Sequence, residues 1–341
     1  MNQMNPKQNR FRVLAALFLC AMLLTVTPLP AVAEDFAAEP ETETQETVAL
    51  KRAPDTEIRV LDADEAQALF DAYIAEKDLS PQIISVGYVY TPTGETWFWN
   101  EDRAYYSASL YKLPLMMLYA EMEYSGEITQ DTVFYEAPLS RLEELILTES
   151  NNEYAHLMMN YLAPSYQTRD MMKKWSDIPP EELGWDFTAQ SFFTARYMTD
   201  VLKTLYYNED HFPHIVERLL DAQPDHYFRY TLHDDYPVAQ KYGNYNDSEG
   251  NAWNHTAGIV YTPNPFLLTV MTKYDGIYEI IISDMAAIFK DYTLKLDERY
   301  EQAIREQEIE EERLAAEQAA EAERLAVEAK IQTLRDRFHG R

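Results

Sequence analysis

Ser109 and Lys112 stand three residues apart in Tyr105-Tyr-Ser-Ala-Ser109-Leu-Tyr-Lys112-Leu-Pro, where an apolar stretch begins. On a helix that spacing puts both side chains on one face of the first turn. The positive end of the helix dipole and partial burial both disfavour an ammonium there. A neutral Lys112 amine can take the Ser109 proton, and backbone N–H groups at the helix start can help hold an oxyanion. The chemistry would be acyl transfer. The same spacing also suits an N-cap serine followed by a surface lysine, so the pair needs company.

Two further segments supply it. Ile146-Leu-Thr-Glu-Ser150-Asn-Asn152-Glu-Tyr-Ala lies between helical stretches, and Ala239-Gln-Lys241-Tyr-Gly243-Asn244 reads as part of a strand. The elements around them follow from apolar periodicity. Asp64 to Glu76 is a helix; Ile83 to Tyr90 and Glu95 to Asn100 form a hairpin through Thr91-Pro-Thr-Gly94. Ser109 to Tyr124 is a helix, Leu139 to Tyr161 holds one or two more, and Thr188 to Tyr207 is another. Val238–Tyr242, Trp253–Tyr261 and Phe266–Tyr274 read as strands, and Gly276 to Leu296 as a helix. The order predicts an α+β fold: an antiparallel five-stranded sheet closed by both chain ends, with an all-helical insertion.

Serine-lysine, then S-x-N, then K-x-G on a strand resembles the penicillin-recognising serine enzymes, and within them the class A β-lactamase branch. The resemblance spans roughly residues 60 to 298, and Thr188-Ala-Gln-Ser-Phe-Phe-Thr-Ala-Arg is similar to the passage from that family's Ω-loop into the next helix. It implies a β-lactamase/transpeptidase-like fold and an acyl-enzyme on Ser109. Lys112 would be its base or proton shuttle, and Ser150 would pass a proton to the leaving nitrogen. Asn152 would bind the substrate's side-chain amide, and Lys241 would attract its carboxylate and tune Ser150. The backbone N–H groups of Ser109 and Asn244 would form the oxyanion hole, with Tyr242 and Gly243 beside it. The implied substrate is a β-lactam or a peptidoglycan-derived amide, and no cofactor is called for.

Several positions depart from the family pattern. Its middle Asp is Asn151 here, and the hydroxyl residue of K-[ST]-G is Tyr242, a bulky ring in place of a small carboxylate clamp. The deacylating Glu followed four residues later by Asn has no counterpart, since no Asn occurs between Asn160 and Asn208. Asp177, Glu181 and Glu182, in the shortened Ω-like segment Trp175 to Phe187, are the carboxylates that could substitute. A chain keeping the fold as a non-enzymatic binding protein, or acylated without efficient deacylation, fits these departures as well.

Composition narrows the alternatives. The 341 residues carry a net charge of −29, which argues against nucleic acid as a partner. Residues 57–290 hold 15 basic and 37 acidic side chains, so most of the acidity belongs to the globular part. A single cysteine excludes a disulfide framework and a multi-cysteine zinc site. His211 and His214 are spaced i, i+3 without further ligands, so no metal is expected. There is no G-x-S-x-G elbow, and His255-Thr-Ala-Gly258 reads as a plain buried strand.

The ends carry their own signals. Lys7, Arg10 and Arg12, the apolar run Val13 to Val26 and Ala31-Val32-Ala33 read as a cleaved signal peptide, residues 1–33, of a secreted, extracytoplasmic protein. Residues 34–56 read as an acidic flexible spacer and 57–298 as the catalytic-type domain. Residues 299–341 read as a charged C-terminal helix, either solvated alone or used as a coiled coil or docking helix for a protein partner.

Overall fold

The computed structural model describes residues 50–339 apart from 55, 224, 225, 233, 275 and 277. The expected signal peptide and most of the expected spacer lie outside the described residues.

Helix α1 (Ala63–Glu76) precedes the hairpin β1 (Ile84–Tyr90) and β2 (Glu95–Trp99), and a short strand β3 (Tyr105–Tyr106) leads into α2 (Lys112–Tyr124). A small ribbon, β4 (Val133–Phe134) with β5 (Ala137–Pro138), is followed by α3 (Leu139–Glu143), α4 (Asn152–Leu162), α5 (Ser165–Met172) and α6 (Gly184–Gln190). Strand β6 (Phe192–Phe193), α7 (Ala195–Tyr207), α8 (Ile215–Leu220) and α9 (Phe228–Leu232) come next. The chain ends with β7 (Val238–Asn246), β8 (Ala252–Val260), β9 (Phe266–Lys273) and α10 (Tyr278–His339).

The main sheet has the order β2-β1-β9-β8-β7, all pairs antiparallel. This is the sheet the sequence predicts, with strands from both ends of the domain meeting at β1 and β9. Period-two alternation sends Phe266, Leu268 and Val270 of β9 to one core with α1 and α10, and Leu267 and Met271 to another with α2 and α7. Every residue of β8 is buried, as expected of a strand covered on both faces.

Three expectations are revised. The helix predicted over Thr188 to Tyr207 is broken: Ser191 takes a left-handed conformation (φ 62°), Phe192–Phe193 pair with Tyr105–Tyr106, and Thr194 then caps α7 by accepting the Tyr197 N–H at 3.1 Å. Two adjacent phenylalanines fit either state, and they pair as a strand once β3 lies beside them. The predicted last domain helix and the C-terminal helix are one element, α10, because no Gly or Pro interrupts the chain between them. Its surplus charges pair along its own surface, Arg313 with Glu310 and Glu317, and Arg324 with Glu321 and Glu328. Finally, the end of the expected spacer is docked. Lys51 N–H donates to Asn208 Oδ1 at 2.7 Å, and Arg52 donates to Thr204 Oγ1 at 2.9 Å and pairs with Asp177.

Candidate active site

Ser109 does not sit on the helix proper. Residues 108–111 wind as tight turns ahead of α2, with Lys112 N–H bonding Ser109 O at 3.3 Å and Leu113 N–H bonding Leu110 O at 3.1 Å. Ala108 is left-handed (φ 47°), a strained setting for a residue with a Cβ. The turn is held from both sides. Ser107 N–H donates to Ser191 O at 2.8 Å, and the Ser107 and Ser191 hydroxyls meet at 2.8 Å. His255 completes the clamp: its Nδ1 accepts the Thr272 N–H at 3.2 Å, so Nε2 carries the proton and donates to Tyr106 O at 2.8 Å. Burial depresses the His255 pKa to about 4, so the ring stays neutral and structural.

Lys112 is fully buried at the start of α2. Its Nζ reaches Ser109 Oγ at 3.0 Å, Ser150 O at 2.5 Å, Ser150 Oγ at 3.1 Å and Asn152 Oδ1 at 2.6 Å. Desolvation lowers its pKa to about 7, so a large neutral fraction exists at neutral pH. Hydrogen-bond counting then fixes its direction. A neutral amine has two N–H donors, and two of its neighbours, Ser150 O and Asn152 Oδ1, can only accept. The remaining lone pair is left facing the hydroxyls of Ser109 and Ser150.

Ser150 is brought there by an unusual backbone. Residues Glu144–Thr148 form a single π-helical turn, and Ser150 follows in the left-handed region (φ 57°). Such turns and such strain recur at functional sites. Asn151, which stands where the resembled family has Asp, accepts the Tyr154 N–H at 3.0 Å and caps α4. Asn and Asp cap equally well, which accounts for the exchange. On the other side, Lys241 Nζ donates to Ser150 Oγ at 3.0 Å and to Tyr242 O at 3.0 Å. Lys241 is buried, and desolvation together with the neighbouring Lys112 charge holds its pKa well below the ordinary lysine value.

Edge strand β7 closes the site. A Cβ built on Gly243 would lie 2.7 Å from Ser109 N and 3.1 Å from Leu110 N, so only glycine lets the strand approach the Ser109 turn this closely. Gly243→Ala is therefore expected to push β7 off that turn and lower the acylation rate about 100-fold, the cost of a displacement of about 1 Å at a reacting centre. Stopped-flow acylation together with a thermal melt checks this. An unchanged rate in a folded variant would contradict it.

Ser109, Ser150, Asn152, Tyr242 and Asn244 line one cavity of about 400 Å³, with Lys112 and Lys241 behind it. The three carboxylates expected from the Ω-like segment are not in that lining. Asp177 is paired with Arg52, Glu181 is exposed, and Glu182 lines a separate cavity of about 270 Å³ with Asp102, Trp185 and Arg196. The start of the segment is tied elsewhere: Trp175 Nε1 donates to Pro114 O at 3.0 Å, and Ser176 Oγ to Asp200 at 2.7 Å. The carboxylates that do line the Ser109 cavity are Glu149 and Glu279, with His226 and Tyr227 beside them. Glu149 adjoins Ser150 in sequence and could have been found by that adjacency. Tyr227 and Glu279 come from distant segments and carry no local signal. Tyr105 and Tyr111 are buried in packing, and among the described residues no cluster of His, Cys, Asp and Glu could hold a metal.

A family model described as the beta-lactamase enzyme family matches residues 64–293. Among solved structures, the chain is similar to TLA-3 extended-spectrum beta-lactamase, at 17% identity and a TM-score of 0.58, covering 68% of this chain and 99% of that one. It is also similar to a beta-lactamase from Chitinophaga pinensis, at 16% identity and a TM-score of 0.57, covering 67% and 99% respectively. An ancestral class A beta-lactamase matches at 17% identity and a TM-score of 0.53, over 67% of this chain and 99% of that one. These likenesses carry the fold. No curated protein matches the chain.

Proposed function

The chain belongs to the beta-lactamase enzyme family, and from that premise we propose that it is a serine hydrolase that forms an acyl-enzyme on Ser109. The carrying observation is the buried Lys112 amine, whose Nζ lies 3.0 Å from Ser109 Oγ. In this reading Ser109 Oγ attacks an amide or lactam carbonyl while Lys112 Nζ takes its proton. The oxyanion is held by the backbone N–H groups of Ser109 and Asn244, a reading supported by the close approach of the neighbouring Gly243 to Ser109 N. Ser150 Oγ, bridging Lys112 and Lys241 at 3.1 and 3.0 Å, relays the proton to the leaving nitrogen. Asn152, which lines the cavity, binds the acyl side chain.

The second half-reaction is weaker. No carboxylate from the Ω-like segment lines the Ser109 cavity, and Glu149 is turned partly to Arg141, at 3.4 Å. That favours an acyl-enzyme that hydrolyses slowly, as in a penicillin-binding protein, over rapid β-lactam turnover. The leader sequence supports an extracytoplasmic site of action, where β-lactams and peptidoglycan-type amides occur. The exposed part of α10 is available to a protein partner.

Intact-mass spectrometry tests the reading after incubation with benzylpenicillin and, in parallel, an uncharged phenylacetyl thioester. We expect a single adduct mapping to Ser109 and persisting for minutes or longer. Absence of an adduct with either reagent would overturn the proposal.

A further inference from the structure

Resting on the acyl-enzyme reading, the leaving-group side of the Ser109 cavity is built for the opposite charge to that of a β-lactam. The substrate carboxylate would fall beside Ser150 and the Lys241-Tyr242-Gly243 strand, and two features work against it there. Lys241 does not present its charge to the cavity. Its Nζ is spent on Ser150 Oγ and Tyr242 O, each at 3.0 Å, and lies 4.4 Å from the Tyr242 ring centroid, so the ring covers it. What faces the cavity instead is an aromatic wall. Tyr227 and Tyr242 stack at 5.1 Å with 18° between their planes, and Asn244 Nδ2 reaches Tyr227 OH at 3.4 Å.

The second feature is the charge at the mouth. Among the described residues lining the cavity there are two carboxylates, Glu149 and Glu279, and no lysine or arginine. Glu279 lies 3.5 Å from His226 Nδ1, and Glu149 lies 3.4 Å from Arg141, which is outside the lining. Both contacts are exposed to water, which screens them. The field of a chain with net charge −29 acts in the same direction. A carboxylate next to the scissile bond would meet like charges and a ring face. An ammonium would meet two carboxylates.

We propose that the preferred acyl donor carries a cationic group, and no carboxylate, on its leaving-group side, and that Glu279 and Glu149 select it. The test uses three phenylacetyl thioesters that differ only in the leaving thiol: thiocholine, with a quaternary ammonium; 3-mercaptopropionate, with a carboxylate; and 2-methoxyethanethiol, uncharged. In each, the Ser109 Oγ–carbonyl bond forms, the carbonyl–sulfur bond breaks, and the serine proton leaves with the thiol, which a colorimetric disulfide reagent detects. The thiocholine ester is expected to exceed the mercaptopropionate ester at least tenfold in kcat/KM. That ratio should fall at least threefold in Glu279→Gln or Glu149→Gln, and should shrink with added salt. A carboxylate ester acylated as fast as the cationic one would overturn the selectivity while an adduct from the uncharged ester left the serine chemistry standing. A ratio unmoved by both substitutions would overturn the assignment to these residues. No adduct from any of the three would remove the acyl-enzyme reading and the selectivity with it.

Discussion

Replacing Ser109 with alanine is expected to abolish acylation, lowering turnover of any productive acyl donor by on the order of 10⁴-fold or more, as loss of a covalent nucleophile does elsewhere. The fold should survive. Ser109 is half-buried, and its hydroxyl is one of four partners of Lys112 Nζ, so the other three remain after the change. One lost hydrogen bond of this kind costs about 1 kcal/mol. Intact mass after exposure to the uncharged thioester, read beside a thermal melt, checks both halves. An adduct of undiminished yield in the alanine variant would move the nucleophile to another residue and with it every role assigned around Ser109.

Lys112→Met is expected to lower the acylation rate by roughly 10²- to 10⁴-fold, the span associated with a positioned general base. It should also remove a pH dependence. The base must be neutral to accept the Ser109 proton, and burial brings its pKa to about 7. In the unmodified protein kcat/KM should therefore rise with pH, bend near 7 and level off above it. The residual rate of the variant should lack that inflection. Stability follows the same group with a definite sign. The folded pKa lies below the ordinary lysine value of 10.5, so between about 7 and 10.5 the unfolded chain binds more protons, and stability rises with pH across that window. Lys241, depressed for the same reason, adds to the slope. Chemical denaturation at pH 7 and pH 9 measures it. A variant retaining both the kinetic inflection near 7 and the full stability slope would show that Lys112 is not the titrating base.

Much of the molecule was legible from local pattern. The alternation in Ile84–Tyr90 and the runs at Ala252–Val260 and Phe266–Lys273 announce strands because a sheet buried on one or both faces demands those periodicities. The break at Ser191–Thr194 was not legible, because Phe192 and Phe193 become a strand only when Tyr105 and Tyr106 lie alongside. That partner is about 87 residues away, and no window of local sequence contains it.

The candidate site divides in the same way. The residue types, their order and the three-residue step from Ser109 to Lys112 are properties of the chain, and they were sufficient to indicate serine acyl chemistry. Which amine is neutral was not. Desolvation depends on what packs over a group, and the ammonium forms of Lys112 and Lys241 are disfavoured by elements up to about 130 residues apart in sequence. The carboxylates show the division most clearly. The Ω-like resemblance of their segment suggested Asp177, Glu181 and Glu182, yet Arg52 and the anchoring of Trp175 and Ser176 take that segment elsewhere. Glu279 lies in the cavity because α10 begins soon after β9, with the adjoining Tyr278 against Tyr227. Electrostatic selection acts through distance in space, which the linear chain does not encode locally; the sequence by itself supplied the residue types of serine acyl chemistry, and the tertiary structure decided which charges stand around Ser109.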